Sequence, residues 1–268
     1  MQLELKTTDI RGQLVFLGTG TSVGVPCIGC ACATCASNNP KNKRTRCSLV
    51  LGLPEGNLLI DTTPDLRMQL LREQIGIVDT VLYTHDHADH VFGLDDERFF
   101  PHYLGHALPV YCEDFVESRI RKSFDYAFTE VNHGYGGGVP QLDMRRIRAG
   151  ETFTLLGQSI QCFRLWHGKF RVLGFRIGNI AYCTDTNGIP PESISQLEGL
   201  DVLILDALRP RAHVSHYSLD QAVEVARRLQ PKRTYFTHMC HDLEHEATNA
   251  ALPAGMELAY DGLRLTLS

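Results

Sequence analysis

Three histidines and two aspartates fall within the six residues His85-Asp86-His87-Ala88-Asp89-His90, directly after the apolar run Thr80-Val81-Leu82-Tyr83. A hydrophobic core has no use for that density of polar side chains. Imidazole and carboxylate crowded onto one short loop are metal ligands, and the mixture suits zinc, manganese or iron better than calcium or magnesium. The chain must therefore fold so that a buried strand ends at this loop and other segments bring further ligands to it.

The rest of the composition sets few limits. A chain of 268 residues with 43% hydrophobic and 21% charged residues is ordinary for a globular α/β protein and long enough for a sizeable core. A single domain over 1–268 is expected. The formal net charge of −5 argues against nucleic-acid binding by bulk charge. The one basic cluster, Lys41-Asn42-Lys43-Arg44-Thr45-Arg46, reads as a solvated loop. No apolar run approaches a membrane span, and Met1 to Lys6 do not open a signal peptide, so a cytoplasmic protein is expected.

Four of the nine cysteines lie in Cys27-Ile28-Gly29-Cys30-Ala31-Cys32-Ala33-Thr34-Cys35. Thiolates this close repel one another unless a cation neutralises them, and a structural zinc does so. A disulfide or a redox switch is the alternative. Cys47, Cys112, Cys162, Cys183 and Cys240 are scattered and read as small buried thiols.

Hydrophobic patterning predicts strands at 13–17, 47–51, 57–61, 80–84, 108–112, 152–156, 159–165, 172–177, 179–184, 201–206 and 233–237. Helical spacing covers 65–73, 90–94 and 218–229, the last with Ser218 as N-cap and Pro231 beyond its end. The turn Gly18-Thr19-Gly20-Thr21-Ser22 brings backbone close to the site but lacks the spacing of a nucleotide-binding loop. Residues 95–140 are rich in aromatics and end in Gly134-Tyr135-Gly136-Gly137-Gly138, which reads as a mobile loop. This insert is expected to cover the site with a helix and a strand, most of its aromatics being core. The architecture that fits is two facing β-sheets with helices outside. Single polar residues follow three of the strands: His167, Asp185 and His238.

The loop Thr84 to His90, followed by His167, Asp185 and His238, resembles the metal motif of the metallo-β-lactamase superfamily, whose fold is an αββα sandwich. Gly29 to Cys35 behind Gly18-Thr19-Gly20-Thr21, together with Thr237-His238-Met239-Cys240-His241, is similar to the phosphodiesterase family of phosphonate breakdown, which opens 5-phosphoribosyl 1,2-cyclic phosphate. The resemblance implies a structural zinc on Cys30, Cys32, Cys35 and His241, leaving Cys27 outside. It implies two catalytic divalent metals, manganese or zinc: His85, His87 and His167 on one, Asp89, His90 and His238 on the other, and Asp185 bridging. Two such cations ionise a shared water and brace the attacked phosphorus.

His216 resembles the family's additional active-site histidine and is expected, with Asp89, among the catalytic residues; His213 competes with it. Arg209 and Arg211 are candidates to bind a second phosphate. Asp61 and Asp206 either orient ligands or are structural. The expected partner is a small phosphodiester, with a homodimer left open. Other substrates handled by the superfamily are thiolesters, lactones and tRNA 3′ ends. A metal-binding protein of the pyrroloquinoline-quinone type, without catalysis, is the remaining alternative. Residues 95–140 depart from the phosphodiesterase family, so reaction class transfers more readily than substrate.

Overall fold

The computed structural model describes residues 4–129 and 138–267. Fourteen strands are present among them: β1 Gln13–Gly18, β2 Ser48–Leu53, β3 Gly56–Ile60, β4 Thr80–Leu82, β5 Leu108–Cys112, β6 Leu142–Arg146, β7 Thr152–Leu155, β8 Gln158–His167, β9 Phe170–Ile177, β10 Ile180–Cys183, β11 Val202–Asp206, β12 Arg233–Thr237, β13 Met256–Leu258 and β14 Arg264–Thr266. They form two seven-stranded mixed sheets, ordered β14-β1-β2-β3-β4-β5-β6 and β13-β12-β11-β10-β9-β8-β7.

Side-chain alternation explains the layering. Along β1, Leu14 and Phe16 point between the sheets, where they meet Phe175, Tyr182, Ile204 and Tyr235 of the second sheet. Val15 and Leu17 point the other way, into a layer with Leu66 and Leu70 of the helix Leu66–Glu73 and Val116 and Ile120 of the helix Asp114–Ser123. The second sheet does likewise, covering Leu203, Leu205 and Phe236 with Ala222, Ala226 and Leu229 of the helix Leu219–Leu229. Strands buried on both faces read as near-continuous apolar runs, as these do.

The helix Leu219–Leu229 has the expected N-cap. The Ser218 hydroxyl accepts from the Gln221 N–H, and the Gln221 side chain accepts from the Ser218 N–H. Among the described residues no helix is long and apolar enough to cross a membrane.

Three expectations need correction. The helix expected at 90–94 is instead a single turn, Ala88–Val91, followed by a 3-10 helix, Leu94–Phe99. Gly93 lies between them, where a Cβ would stand 2.0 Å from the Thr63 carbonyl oxygen. The stretch from 95 is not chiefly a cover over the site: β5 lies within the first sheet between β4 and β6, and Phe100 and Phe124 are buried in that sheet's outer layer. Of the expected mobile segment Gly134 to Gly138, residues 134–137 lie outside the described residues.

Lys41 to Arg46 is not a solvated loop. Arg44 is buried, and its guanidinium donates to the carbonyls of Cys240 at 2.9 Å and Leu243 at 2.6 Å. Lys43 donates to the Cys35 carbonyl, and Arg46 pairs with Asp65 at 2.9 Å.

Candidate metal centre

β3 and β4 run parallel, as do β10, β11 and β12, so their carboxyl ends open on one edge of the sandwich. β8 is antiparallel to β9, which is antiparallel to β10, so β8 ends there too. Asp61 follows β3, Thr84 and His85 follow β4, His167 closes β8, Asp185 follows β10, Asp206 closes β11 and His238 follows β12. Loops leaving the carboxyl ends of parallel strands are where such sheets collect functional groups.

Two sets of four side chains form there. His85, His87, His167 and Asp185 present ligand atoms all within 4.8 Å of one another, and so do Asp89, His90, Asp185 and His238. Asp185 belongs to both. Its Oδ1 lies 3.2 Å from His90 Nε2 and 3.3 Å from His238 Nε2, and its Oδ2 lies 3.8 Å from His85 Nε2. His90 Nε2 is also 3.4 Å from Asp89 Oδ2.

The rings are aimed by groups behind them. The Thr84 hydroxyl donates to Asp61 at 2.8 Å and is therefore free to accept from His85 Nδ1, 2.9 Å away. His90 Nδ1 donates to Asp61 at 2.7 Å, and the Thr84 N–H donates to the same carboxylate at 2.8 Å. His167 Nδ1 donates to the Ser215 carbonyl at 2.8 Å. In each ring Nδ1–H is thus engaged, and Nε2 presents a lone pair inward.

These residues fit a pair of cations. Nε2 of His85, His90 and His238 is buried without a hydrogen-bond partner, a costly arrangement in a native interior unless something else fills the role. The electrostatics agree. Burial holds His85 and His167 well toward the neutral form. Burial also opposes charge on His90 and His238, yet carboxylates led by Asp185 raise both, His238 to about 9. Asp89 and Asp185 are lowered despite burial, because His90 and His238 stand beside them. The carboxylates of Asp89 and Asp185 thus favour positive charge at the point where the inward nitrogens meet.

Backbone strain marks the same loops. Asp61, Asp185 and His238 have φ of 62°, 49° and 58°. A non-glycine residue in the left-handed region is uncommon, and functional sites collect such residues.

His216 lies against this centre. Its ring centroid is 4.6 Å from that of His167 and 4.7 Å from that of His238, and Nδ1 donates to Asp206 at 2.6 Å. His213 stands a rank further back, 5.2 Å from the His216 ring, with Nδ1 accepting from the Ser215 N–H at 3.4 Å. Arg211 turns away to pair with Asp242 at 3.0 Å, and Arg209 donates to carbonyls of its own loop.

Cys30, Cys32, Cys35 and His241 form a third set within 4.8 Å, with Cys32 Sγ 3.2 Å and Cys30 Sγ 3.5 Å from His241 Nδ1. Cys27 is outside it: its thiol donates to the Gly24 carbonyl, while its backbone N–H donates to Cys35 Sγ. All nine cysteines are free thiols. His241 beside it lowers Cys32 to about 6, whereas burial pushes Cys35 up to about 12. A bound cation would reverse the latter.

The sequence left several of these supports unread. The Ser215 carbonyl carries no motif, Thr84 opens the motif without its role being marked, and Asp61 and Asp206, polar residues ending apolar strands, were open between orienting ligands and a structural role.

Residues 56–239 match the family described as the beta-lactamase superfamily domain, and the chain belongs to that family. Within it the chain belongs to the PhnP family: it is 44% identical to a protein described as a new diphosphatase from the PhnP family, covering 94% of this chain and 96% of that one, with a TM-score of 0.88. Zinc-bound PqqB from Methylobacterium extorquens has the same fold at 19% identity, covering 94% of this chain and 99% of that one, with a TM-score of 0.79. An octanoyltransferase of Porphyromonas gingivalis (strain ATCC BAA-308 / W83) is 35% identical over 254 residues. The match covers 94% of this chain but only 51% of that protein, so the chain spans about half the length of this curated relative.

Proposed function

We propose that this chain is a metal-dependent phosphodiesterase acting on a small cyclic or otherwise activated phosphodiester, with 5-phosphoribosyl 1,2-cyclic phosphate as a candidate. The observation that carries the reading is the pair of buried ligand sets sharing Asp185, with the inward nitrogens of His85, His90 and His238 unpartnered. The 44% identity to a PhnP-family diphosphatase supports chemistry at phosphorus.

His85, His87, His167 and Asp185 would hold one divalent metal, and Asp89, His90, Asp185 and His238 the other. Histidine and carboxylate ligands accept zinc or manganese. When bound, such a pair lowers the pKa of a water between the ions and draws charge from the attacked phosphoryl group. Cys30, Cys32, Cys35 and His241 would hold a structural zinc.

The chain's own residues supply the rest. Water oxygen bonds to phosphorus as the bond from phosphorus to the departing oxygen breaks, and that oxygen needs a proton. With its Nδ1–H held by Asp206, His216 can give it from Nε2 when the ring carries both protons, and the proton lost by the attacking water restores that form. Asp206 also accepts from the Thr186 N–H at 2.8 Å, so the acceptor itself is anchored.

The test is turnover by metal-loaded protein of bis-p-nitrophenyl phosphate, cyclic ribose phosphate, a diphosphate, a thiolester and a lactone. Phosphodiester hydrolysis is expected. His216→Ala should slow it about 10²-fold on a poor leaving group with metal content unchanged. Thiolester or lactone turnover without phosphodiester turnover would overturn the proposal. The 35% identity to half of an octanoyltransferase makes the thiolester the second reading.

A further inference from the structure

Three of the residues gathered at the edge of the sandwich are each preceded by a threonine: Thr84-His85, Thr184-Asp185 and Thr237-His238. All three threonines are fully buried, and Thr84 serves the centre through its bond to Asp61. The other two meet at Cys47, a buried thiol just before β2. Cys47 Sγ lies 3.0 Å from Thr237 Oγ1, 3.2 Å from the Tyr182 hydroxyl and 3.7 Å from Thr184 Oγ1. One thiol of the first sheet thus faces three hydroxyls of the second.

Counting protons separates the two threonines. A hydroxyl has one proton to give, and an ionised carboxylate only accepts. Thr184 gives its proton to Asp185 Oδ1, 2.8 Å away, and toward Cys47 it can then only accept. Burial pushes the Cys47 thiol up to about 11, so it keeps its own proton, and Tyr182 and Thr237 are the nearer partners for it. The Thr184 proton is therefore committed to Asp185. The Thr237 hydroxyl reaches Cys47 instead.

Asp185 has particular need of that bond. It is the one residue common to both His/Asp clusters, and it holds a left-handed backbone. The end torsion of an aspartate is soft, so the backbone alone does not decide which oxygen faces which cluster. Its other polar neighbours are Nε2 of His85, His90 and His238, which turn lone pairs rather than protons to a bound cation. Among the described residues the Thr184 hydroxyl is then the one side-chain donor left to this carboxylate.

We infer that Thr184 is a positioning residue for the shared carboxylate: its hydroxyl holds Asp185 Oδ1 on the side of His90 and His238, which leaves Oδ2 for His85. The inference rests on the paired-cation reading of the centre, and Thr184 acts through Asp185 without touching substrate.

Zinc titration of chelator-stripped protein against a chelating dye tests it. Thr184→Val keeps the shape of the side chain and removes the hydroxyl, and it should weaken both ions of the centre by about 10- to 100-fold while the cysteine site holds its ion as before. Thr184→Ser restores the donor and should bind within about twofold of wild type. Thr237→Val makes the same exchange in the same cluster and should also stay within about twofold, which separates the bond to Asp185 from packing around Cys47. Should Thr184→Val not fold, Thr184→Ala removes the same donor and is read against Thr184→Ser. Unchanged affinity in the variant lacking the Thr184 hydroxyl, or an equal loss in Thr237→Val, would overturn this assignment alone. A wild-type chain that takes up no pair of ions would overturn it together with the centre.

Discussion

Asp61 accepts three hydrogen bonds, two from Thr84 and one from His90, while buried at the end of β3 with φ of 62°. It thereby aims His90 directly and His85 through the Thr84 hydroxyl. A carboxylate behind an imidazole fixes its tautomer and strengthens its lone pair, and losing such a partner costs about 10- to 100-fold in metal affinity. Asp61→Asn is the informative change, because asparagine tolerates the left-handed backbone and removes only the charge and an acceptor. Zinc titration of the chelator-stripped variant should show the site containing His90 weakened by about that factor. Affinity equal to wild type would remove Asp61 from the account.

Among the elements, the loop from Gly18 to Arg46 does the most to position the site from outside it. Gly18 and Gly20 let it close up: a Cβ at Gly18 would meet the Arg46 carbonyl oxygen at 1.9 Å, and one at Gly20 the Arg44 carbonyl oxygen at 2.7 Å. The Thr21 N–H donates to the Met239 carbonyl, next to His238. The buried Arg44 guanidinium holds the carbonyls of Cys240 and Leu243 on either side of His241. Replacing Arg44 with methionine keeps bulk and leaves those carbonyls without a charged donor, a loss of about 1.5–3 kcal/mol per bond. Arg44→Met should lower the melting temperature and speed zinc release to a chelating dye; unchanged release would show that the loop stands without it.

The same loop shows what the chain could and could not disclose in advance. The residues of both His/Asp clusters were legible as polar groups at the ends of near-continuous apolar runs, and their division into two sets came from the family resemblance. Arg44 was not, because charge in a sequence looks the same whether it faces water or buried carbonyls. The edge strand Leu142–Arg146 was hidden for a related reason. Its pattern carries charges, as edge strands do, and so lacks an apolar run. For 95–140 the reading of most aromatics as core holds at Phe100 and Phe124, while the extent of any cover stayed open because apolar residues are needed equally for a lid and for the outer layer of a sheet.

At the scale of the whole molecule, the fold keeps two centres with different tasks. One ties the Cys30–Cys35 segment to the loop that carries His238; the other gathers ligands from both sheets at one edge of the sandwich. Because Asp185 lies in both His/Asp clusters and the cysteines in neither, metal occupancy should separate by variant. Plasma mass spectrometry on protein purified with zinc and manganese measures this directly. The wild-type chain should carry about three metal ions, Cys35→Ser about two and Asp185→Asn about one. A wild-type chain that retains a single ion, unaffected by Asp185→Asn, would contradict the paired-cation centre.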